Sequence, residues 1–332
     1  MEYRRLGRSD LNVSTICMGC WAIAGGHTWG EQDEDAAIAA LRTAVDVGVN
    51  FFDTAEAYGA GDSEELLGRA FQGIRDQVII ATKVSESHMR PADLREACEG
   101  SLRRLQTDYI DVYYLHWPNR DVPFEVTIAE MMRLKEEGKI RYVGLSNFGV
   151  EDLNAMLDIA HVEVDQLAYN LLFRAIEYEI VPACLENDVS VATYSPLLHG
   201  ILTGKFETLE DIPEGRARTR HFSSEKYPMT RHGGPGAEEE TARALGRIRE
   251  ICDDAGLPMA QVALAWLLEQ PSVATVIAGA RSPAQIRANA RAAELELPEN
   301  MVQALTEATD RLKAKLGPNA DMWENEENSR IR

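Results

Sequence analysis

Asp53, Tyr58, Lys83 and His116 are the residues of this chain whose types and spacing suit one reaction. They lie in or beside short apolar runs: Phe51-Phe52-Asp53-Thr54-Ala55-Glu56-Ala57-Tyr58-Gly59, Ala81-Thr82-Lys83-Val84 and Tyr113-Tyr114-Leu115-His116-Trp117-Pro118. A lysine at the end of a buried strand needs a partner, and Asp53 supplies one. A tyrosine beside that ammonium has its ionised form favoured, which lowers its pKa. It can then give a proton to a carbonyl oxygen, or take one from an alcohol, near neutral pH. His116 can donate a hydrogen bond to the same oxygen and orient it. This is an apparatus for reducing a carbonyl, provided that a hydride arrives. No side chain delivers one, so a nicotinamide cofactor is required. Each residue alone has an ordinary structural use. Lys83 suits a paired or snorkelling lysine, Asp53-Thr54 a turn or cap, His116 a satisfied core histidine, and Tyr58 a loop. Their placement at successive strand ends is what points to catalysis.

The elements that must position them alternate regularly. Strands are expected at 13–19, 49–53, 78–82, 109–115, 140–145, 164–168, 189–194 and 274–278. Between them lie helical patterns. One is capped by Asp33 or Asp35 and ended by Gly48, and others begin near Ser63, Pro91, Pro123, Val150, Glu177, Pro258 and Ser282-Pro283. Strands alternating with helices imply a parallel sheet with helical crossovers. Eight such units in about 290 residues fit an α/β chain folded as one (β/α)8 TIM barrel. No Gly-x-Gly-x-x-Gly follows any strand, so the dinucleotide turn of an open sheet is missing. One domain is expected over 1–332. Outside the repeat, residues 2–13 predict a hairpin turning at Gly7-Arg8-Ser9-Asp10. Residues 203–237 form a long polar loop, of the kind that is usually functional. Residues 238–256 suit a further amphipathic helix, and 317–332 a polar tail holding Met322 and Trp323.

Composition narrows the function classes. The 332 residues are 45% hydrophobic and 27% charged, as in a folded globular chain. The net charge of −20 makes a poor general binder of nucleic acid or anionic membrane, though not of a local phosphate. Five cysteines are few and odd in number, which suits a reducing compartment. Cys17-Met18-Gly19-Cys20 has the C-x-x-C spacing, but it has no second pair and no clustered histidines, so no metal site is expected. The N-terminus lacks the apolar stretch of a signal peptide, and no run of 18 apolar residues exists. A cytoplasmic protein is expected.

The chain resembles the aldo-keto reductase superfamily, and more closely its bacterial NADPH-dependent barrel enzymes, over nearly its whole length. The motifs that carry the resemblance are Tyr3-Arg4-Arg5-Leu6-Gly7-Arg8-Ser9, Asp53 to Gly59, Ala81-Thr82-Lys83 and Leu115-His116-Trp117-Pro118. Cofactor-side motifs are Gly144-Leu145-Ser146-Asn147-Phe148, Tyr194-Ser195-Pro196-Leu197, Ile201-Leu202-Thr203-Gly204-Lys205 and Ala278-Gly279-Ala280-Arg281-Ser282. The resemblance implies that Tyr58 is the general acid, Lys83 and Asp53 its tuning pair, and His116 the donor that orients the carbonyl. It implies that Ser146, Asn147 and Gln166 hold the nicotinamide carboxamide and that Tyr194 stacks on its ring. Ser195, Leu197, Gly200 and Lys205 would line the pyrophosphate path. Gly279, Arg281, Ser282, Gln285 and Asn289 would hold the adenosine end. Arg281 beside Ser282, near a helix start, suits a 2′-phosphate, hence NADPH/NADP+ over NAD(H). The sequence departs from many relatives at Leu198-His199-Gly200, where they have Gly-x-Gly. The loop carries Arg216, Arg218, Arg220, His221 and Arg231, and similar loops fold over the cofactor.

Trp21, Trp29 and Trp117 fall near the expected barrel mouth, with Trp323 as a further candidate. Among Glu56, His27, Asn119 and Arg120, these aromatic faces suit a sugar-like or small polar carbonyl substrate. Three other functions suit parts of the same sequence. A regulatory barrel would bind cofactor with little turnover, as in the channel β-subunits of the same superfamily. An NAD-preferring sugar dehydrogenase would run the oxidation. A lysine Schiff-base lyase would use Lys83 and would leave Ser146-Asn147 and Arg281 without purpose.

Overall fold

Continuous apolar runs become the wall of a closed sheet. The computed structural model describes residues 1–332 apart from the side chains of His27 and Thr28, so the expectation for His27 lies outside the described residues. The strands are β1 (Tyr3–Arg5), β2 (Asn12–Ser14), β3 (Ile16–Gly19), β4 (Phe51–Asp53), β5 (Ile79–Val84), β6 (Ile110–Leu115), β7 (Ile140–Ser146), β8 (Val164–Ala168), β9 (Ser190–Tyr194) and β10 (Val273–Gly279). β3 to β10 pair in parallel, in chain order, and β10 closes on β3. β1 and β2 form an antiparallel hairpin.

Side chains alternate between the two faces of each strand. Cys17, Phe51, Ala81, Val112, Tyr114, Val164, Ala192 and Ile277 fill the barrel, together with Leu6, Leu11 and Val13 of the hairpin. The hairpin therefore plugs the end of the barrel where the strands begin. The opposite faces pack under the helices, with Met18, Phe52, Ile80, Tyr113, Val143, Leu167 and Val276 among them.

Helices Glu34–Asp46, Asp62–Ala70, Pro91–Leu105, Phe124–Glu136, Val150–Leu157, Ile180–Glu186 and Met259–Leu268 cross over between strands, and Pro283–Ala290 follows the last strand. Asp33 caps the first by accepting from Ala36 N. Two further helices, Glu238–Ala255 and Glu299–Leu316, pack on each other. No single helix among the described residues is long and apolar enough to cross a membrane.

The structure corrects two expectations. The run 13–19 is not one strand. It ends the hairpin at Ser14 and resumes in the barrel at Ile16, because Thr15 N turns to Glu2 O while Ser14 Oγ donates to Ile16 O. The helix Glu299–Leu316 lies in a stretch with no expected element; its Met301, Leu305, Leu312 and Leu316 are buried. The 203–237 segment folds in short 3-10 turns. His221 Nε2 donates to Leu172 O, and His232 Nε2 to Phe222 O, so both rings anchor the loop.

Candidate active site

The twofold alternation that fills the barrel also sets its upper rim. Two residues beyond Phe51, Ala81 and Val164, the next inward positions are Asp53, Lys83 and Gln166. His116 follows Tyr114 in the same way, and Tyr194 follows Ala192. All lie where the strands end, which is where a barrel of this kind does its chemistry.

Lys83, fully buried, donates from Nζ to Asp53 Oδ1 at 2.6 Å, to Thr54 O at 2.8 Å and to Tyr58 Oη at 3.2 Å. Tyr58 is delivered by a turn, Tyr58–Gly61, in which Gly59, Ala60 and Gly61 all take positive φ before the next helix starts. Its ring meets that of His116 edge-on at 5.9 Å. Burial works against the Lys83 charge, but Asp53 and then Tyr58 outweigh it and hold the ammonium above its ordinary pKa. Burial also pushes the Tyr58 phenol up, and Lys83 opposes this without overcoming it. The expected lowering of the tyrosine pKa is thus corrected: desolvation exceeds the effect of the lysine. Burial, followed by the Lys83 charge, pushes His116 down to about 3, so its ring is neutral at physiological pH.

Several supporting contacts were not anticipated. Gln166 Nε2 donates to Asp53 Oδ2 at 2.7 Å, so this side chain holds the carboxylate as well as lining the rim. Glu64 is buried, accepting from Thr82 Oγ1 at 2.5 Å and Arg104 Nε at 2.7 Å, and so ties β5 to the helix after Tyr58. Ser63 Oγ accepts from Thr54 Oγ1 and donates to Cys20 O. Cys17 and Cys20 point to opposite faces, one into the barrel and one under the helices, and burial raises both thiol pKa values. Among the described residues no cluster of three or more histidine, cysteine, aspartate or glutamate side chains could hold a metal ion.

The expected cofactor residues fall along one side of the rim. Ser146 and Asn147 are buried, and Asn147 takes φ +64°. Asn147 Nδ2 donates to His116 O and Ser146 Oγ, while its Oδ1 accepts from Tyr194 Oη at 2.8 Å. Ser195, Leu198, His199 and Gly200 all take positive φ, curling the chain after β9 into a cradle beside Leu197. A Cβ on Gly200 would stand 3.1 Å from an Arg216 nitrogen and 3.3 Å from Lys205 Nζ. Desolvation and then Arg216 lower the Lys205 pKa; burial and then Arg231 lower that of Arg218. Neither has a carboxylate partner among the described residues. Arg218 Nε and both ring nitrogens of His199 are buried without a hydrogen-bond partner. Buried donors left over around a glycine cradle fit an anionic pyrophosphate. Arg220 and Arg231 are engaged elsewhere: Arg220 grips Leu316 O at the end of the last helix and Asn319 O and Asp321 O of the tail, and Arg231 pairs with Glu324.

At the adenosine end, Ser282 caps Pro283–Ala290, Gln285 Oε1 accepts from Arg281 N, and Asn289 Nδ2 donates to Gly279 O. The Arg281 guanidinium is taken up by Trp29 O, Glu31 O and Gln32 Oε1.

The four tryptophans named above fall in two groups. Trp21 lies over Tyr58 at 5.9 Å, with Trp29 edge-on to it at 5.3 Å. Trp323 lies parallel to Tyr194 at 6.1 Å and beside Trp117 at 6.1 Å. The tail that brings Trp323 is held by the buried Asp321, paired with Arg330, whose guanidinium covers Trp117 at 3.8 Å. Asn119 and Arg120 are tied to Glu86 O and Asp152. Glu56 accepts from Ser85 N and meets His88.

Comparison with known proteins gives the family and the fold. A sequence model described as the Aldo/keto reductase family matches residues 15–310. The chain is 37% identical over 299 residues to the aldo-keto reductase YhdN of Bacillus subtilis, covering 87% of each. It is 31% identical over 332 residues to an NADH-specific methylglyoxal reductase of Escherichia coli, covering 92% of this chain and 98% of the other. A crystal structure of an aldo-keto reductase from Klebsiella pneumoniae in complex with NADPH superposes with a TM-score of 0.74 at 30% identity, covering 100% of this chain and 98% of that one.

Proposed function

The chain belongs to the aldo/keto reductase family, and on that premise we propose that it transfers hydride between NADP(H) and a carbonyl–alcohol pair, with Tyr58 as the acid–base group. The observation that carries this is the Asp53–Lys83–Tyr58 relay, 2.6 Å and then 3.2 Å, opposite the neutral His116. A bound nicotinamide supplies the hydride. During reduction Tyr58 Oη gives its proton to the carbonyl oxygen, and the Lys83 ammonium stabilises the phenolate left behind. Asp53, held by Gln166, keeps Lys83 charged and aimed. His116 donates its ring N–H to the same oxygen and fixes its position. In oxidation the phenolate accepts the alcohol proton.

Ser146, Asn147 and Gln166 would hold the carboxamide, and Tyr194 the face of the ring. Ser195, Leu197, Gly200 and Lys205, joined by Arg216 and Arg218, would take the pyrophosphate. The 203–237 segment would then serve as the cofactor loop. Gly279, Arg281, Ser282, Gln285 and Asn289 would take the adenosine. Trp21, Trp29, Trp117 and Trp323 suit a sugar-like or small polar aldehyde, and a relative named for methylglyoxal reduction supports a small polar carbonyl. All five cysteines are free thiols, which supports a reducing, cytoplasmic location.

One observation favours a second reading, preference for NAD(H). The Arg281 guanidinium is already occupied by the 29–32 segment, and the E. coli relative is named NADH-specific. Titration with NADPH and with NADH, followed by tryptophan fluorescence, separates the two. Tighter NADPH binding, with turnover of small aldehydes, supports the proposal. Tighter NADH binding transfers the same chemistry to NAD(H). Cofactor binding without turnover of any aldehyde would favour a regulatory barrel, and binding of neither would overturn the function.

A further inference from the structure

Arg281 follows β10, at the adenosine end proposed above, yet its side chain reaches across to the segment after β3. Nε donates to Gln32 Oε1 at 2.7 Å, Nη1 to Trp29 O at 2.6 Å and Nη2 to Glu31 O. Gln32 Nε2 returns a longer bond to Arg281 O at 3.4 Å. All these acceptors are neutral, and among the described residues no carboxylate pairs with this guanidinium. A phosphate offers opposite charge and two parallel acceptors, which carbonyl oxygens do not.

The held segment is connected to the reaction. Trp29 meets Trp21 edge-on at 5.3 Å, and Trp21 lies over the Tyr58 ring at 5.9 Å with 27° between planes. The Trp29 indole Nε1 is buried without a partner, so no hydrogen bond of its own fixes the ring. Gly25, Gly26 and Gly30 take φ +66°, +81° and +74°, conformations that favour glycine. The turn is therefore built on glycines, and the guanidinium of Arg281 ties down its far end.

We propose that Arg281 is a two-position arm: without a 2′-phosphate it holds segment 29–32, and a 2′-phosphate draws it off and frees the Trp29–Trp21 wall over Tyr58. The proposal rests on the reading that the adenosine lies along Gly279–Asn289. It makes Arg281 a positioning residue for the carbonyl pocket as well as a cofactor contact. The two dinucleotides then leave differently shaped pockets over one acid, so carbonyl selectivity depends on which is bound.

The test uses the full chain with adenosine 2′,5′-bisphosphate and with 5′-AMP, neither of which carries a nicotinamide. Amide exchange over 26–32 and tryptophan emission are read, and binding is measured separately by calorimetry. Saturating bisphosphate is expected to raise exchange by at least about tenfold, the scale of losing one hydrogen bond to a charged group. It should also shift emission in the wild type and not in Trp29→Phe. Saturating 5′-AMP should do neither. Arg281→Ala should show the raised exchange with no ligand, and Arg281→Lys should fall between. Bisphosphate that binds without raising exchange overturns the arm and leaves the adenosine reading intact, as does Arg281→Ala exchanging like the wild type. Bisphosphate that does not bind overturns the adenosine reading, and the arm with it.

Discussion

Replacing Lys83 with methionine removes three hydrogen bonds at once: 2.6 Å to Asp53, 2.8 Å to Thr54 O and 3.2 Å to Tyr58. It leaves Asp53 charged and buried, with the Gln166 amide as its remaining side-chain partner. Breaking a buried pair from one side costs about 3–5 kcal/mol of stability. Adding Asp53→Asn removes the uncompensated charge while keeping an acceptor for Gln166. The double variant should therefore recover about 2 kcal/mol relative to Lys83→Met, the range of coupling found for residues in contact. Activity should not recover with it. Without the ammonium nothing stabilises the phenolate, so turnover falls by roughly 100- to 10,000-fold in both variants. Denaturant unfolding gives the stabilities, and NADPH oxidation with a small aldehyde gives the rates. Equal stability of the two variants, or turnover restored in the double variant, would refute the relay.

The pH dependence follows from the two shifted groups. Burial holds the Tyr58 phenol above its ordinary value, so the phenolate needed for alcohol oxidation accumulates only as pH rises. The oxidation rate should climb through the alkaline range while reduction, which needs the phenol, holds steady around neutrality. His116, pushed down to about 3, should add no inflection between pH 5 and pH 8; one that His116→Gln abolishes would contradict its neutral state. Lys205→Ala should weaken NADPH and NADH together by roughly tenfold, because the pyrophosphate is common to both; loss for NADPH alone in a fluorescence titration would move Lys205 to the 2′-phosphate. Arg220→Met should free the tail from two carbonyl contacts and remove a third to Leu316 O, at a cost of about 2–3 kcal/mol. Proteolytic cleavage within 317–332 and a raised KM for the aldehyde would report it, and a resistant tail would contradict it.

The barrel was legible because buried parallel strands are nearly continuous apolar runs bounded by turn residues. The same property hid the break at Thr15, since an apolar run does not show where a strand changes its pairing partner. Helix Glu299–Leu316 carried a readable stripe at 301, 305, 312 and 316 behind Pro298, but eight strand–helix units already accounted for the repeat. Asp53, Lys83 and His116 were readable as polar ends of apolar strands. Their positioning partners were not: Gln166 reaches Asp53 only once the barrel closes and brings β8 opposite β4, and Thr54 contributes a carbonyl. The direction of the Tyr58 shift was missed because a lysine is visible in sequence and desolvation is not. The grip of Arg281 on Trp29, Glu31 and Gln32 spans about 250 residues of chain and leaves no local sign.

Tyr58→Phe tests the central claim most directly. Phenylalanine keeps the ring beside Trp21 and His116 and removes only the hydroxyl, so the fold and NADPH binding should stay within about twofold of the wild type. Carbonyl reduction should fall by roughly 100- to 10,000-fold. A folded variant that binds NADPH and still reduces aldehydes at the wild-type rate would remove Tyr58 as the acid and with it the mechanism proposed here.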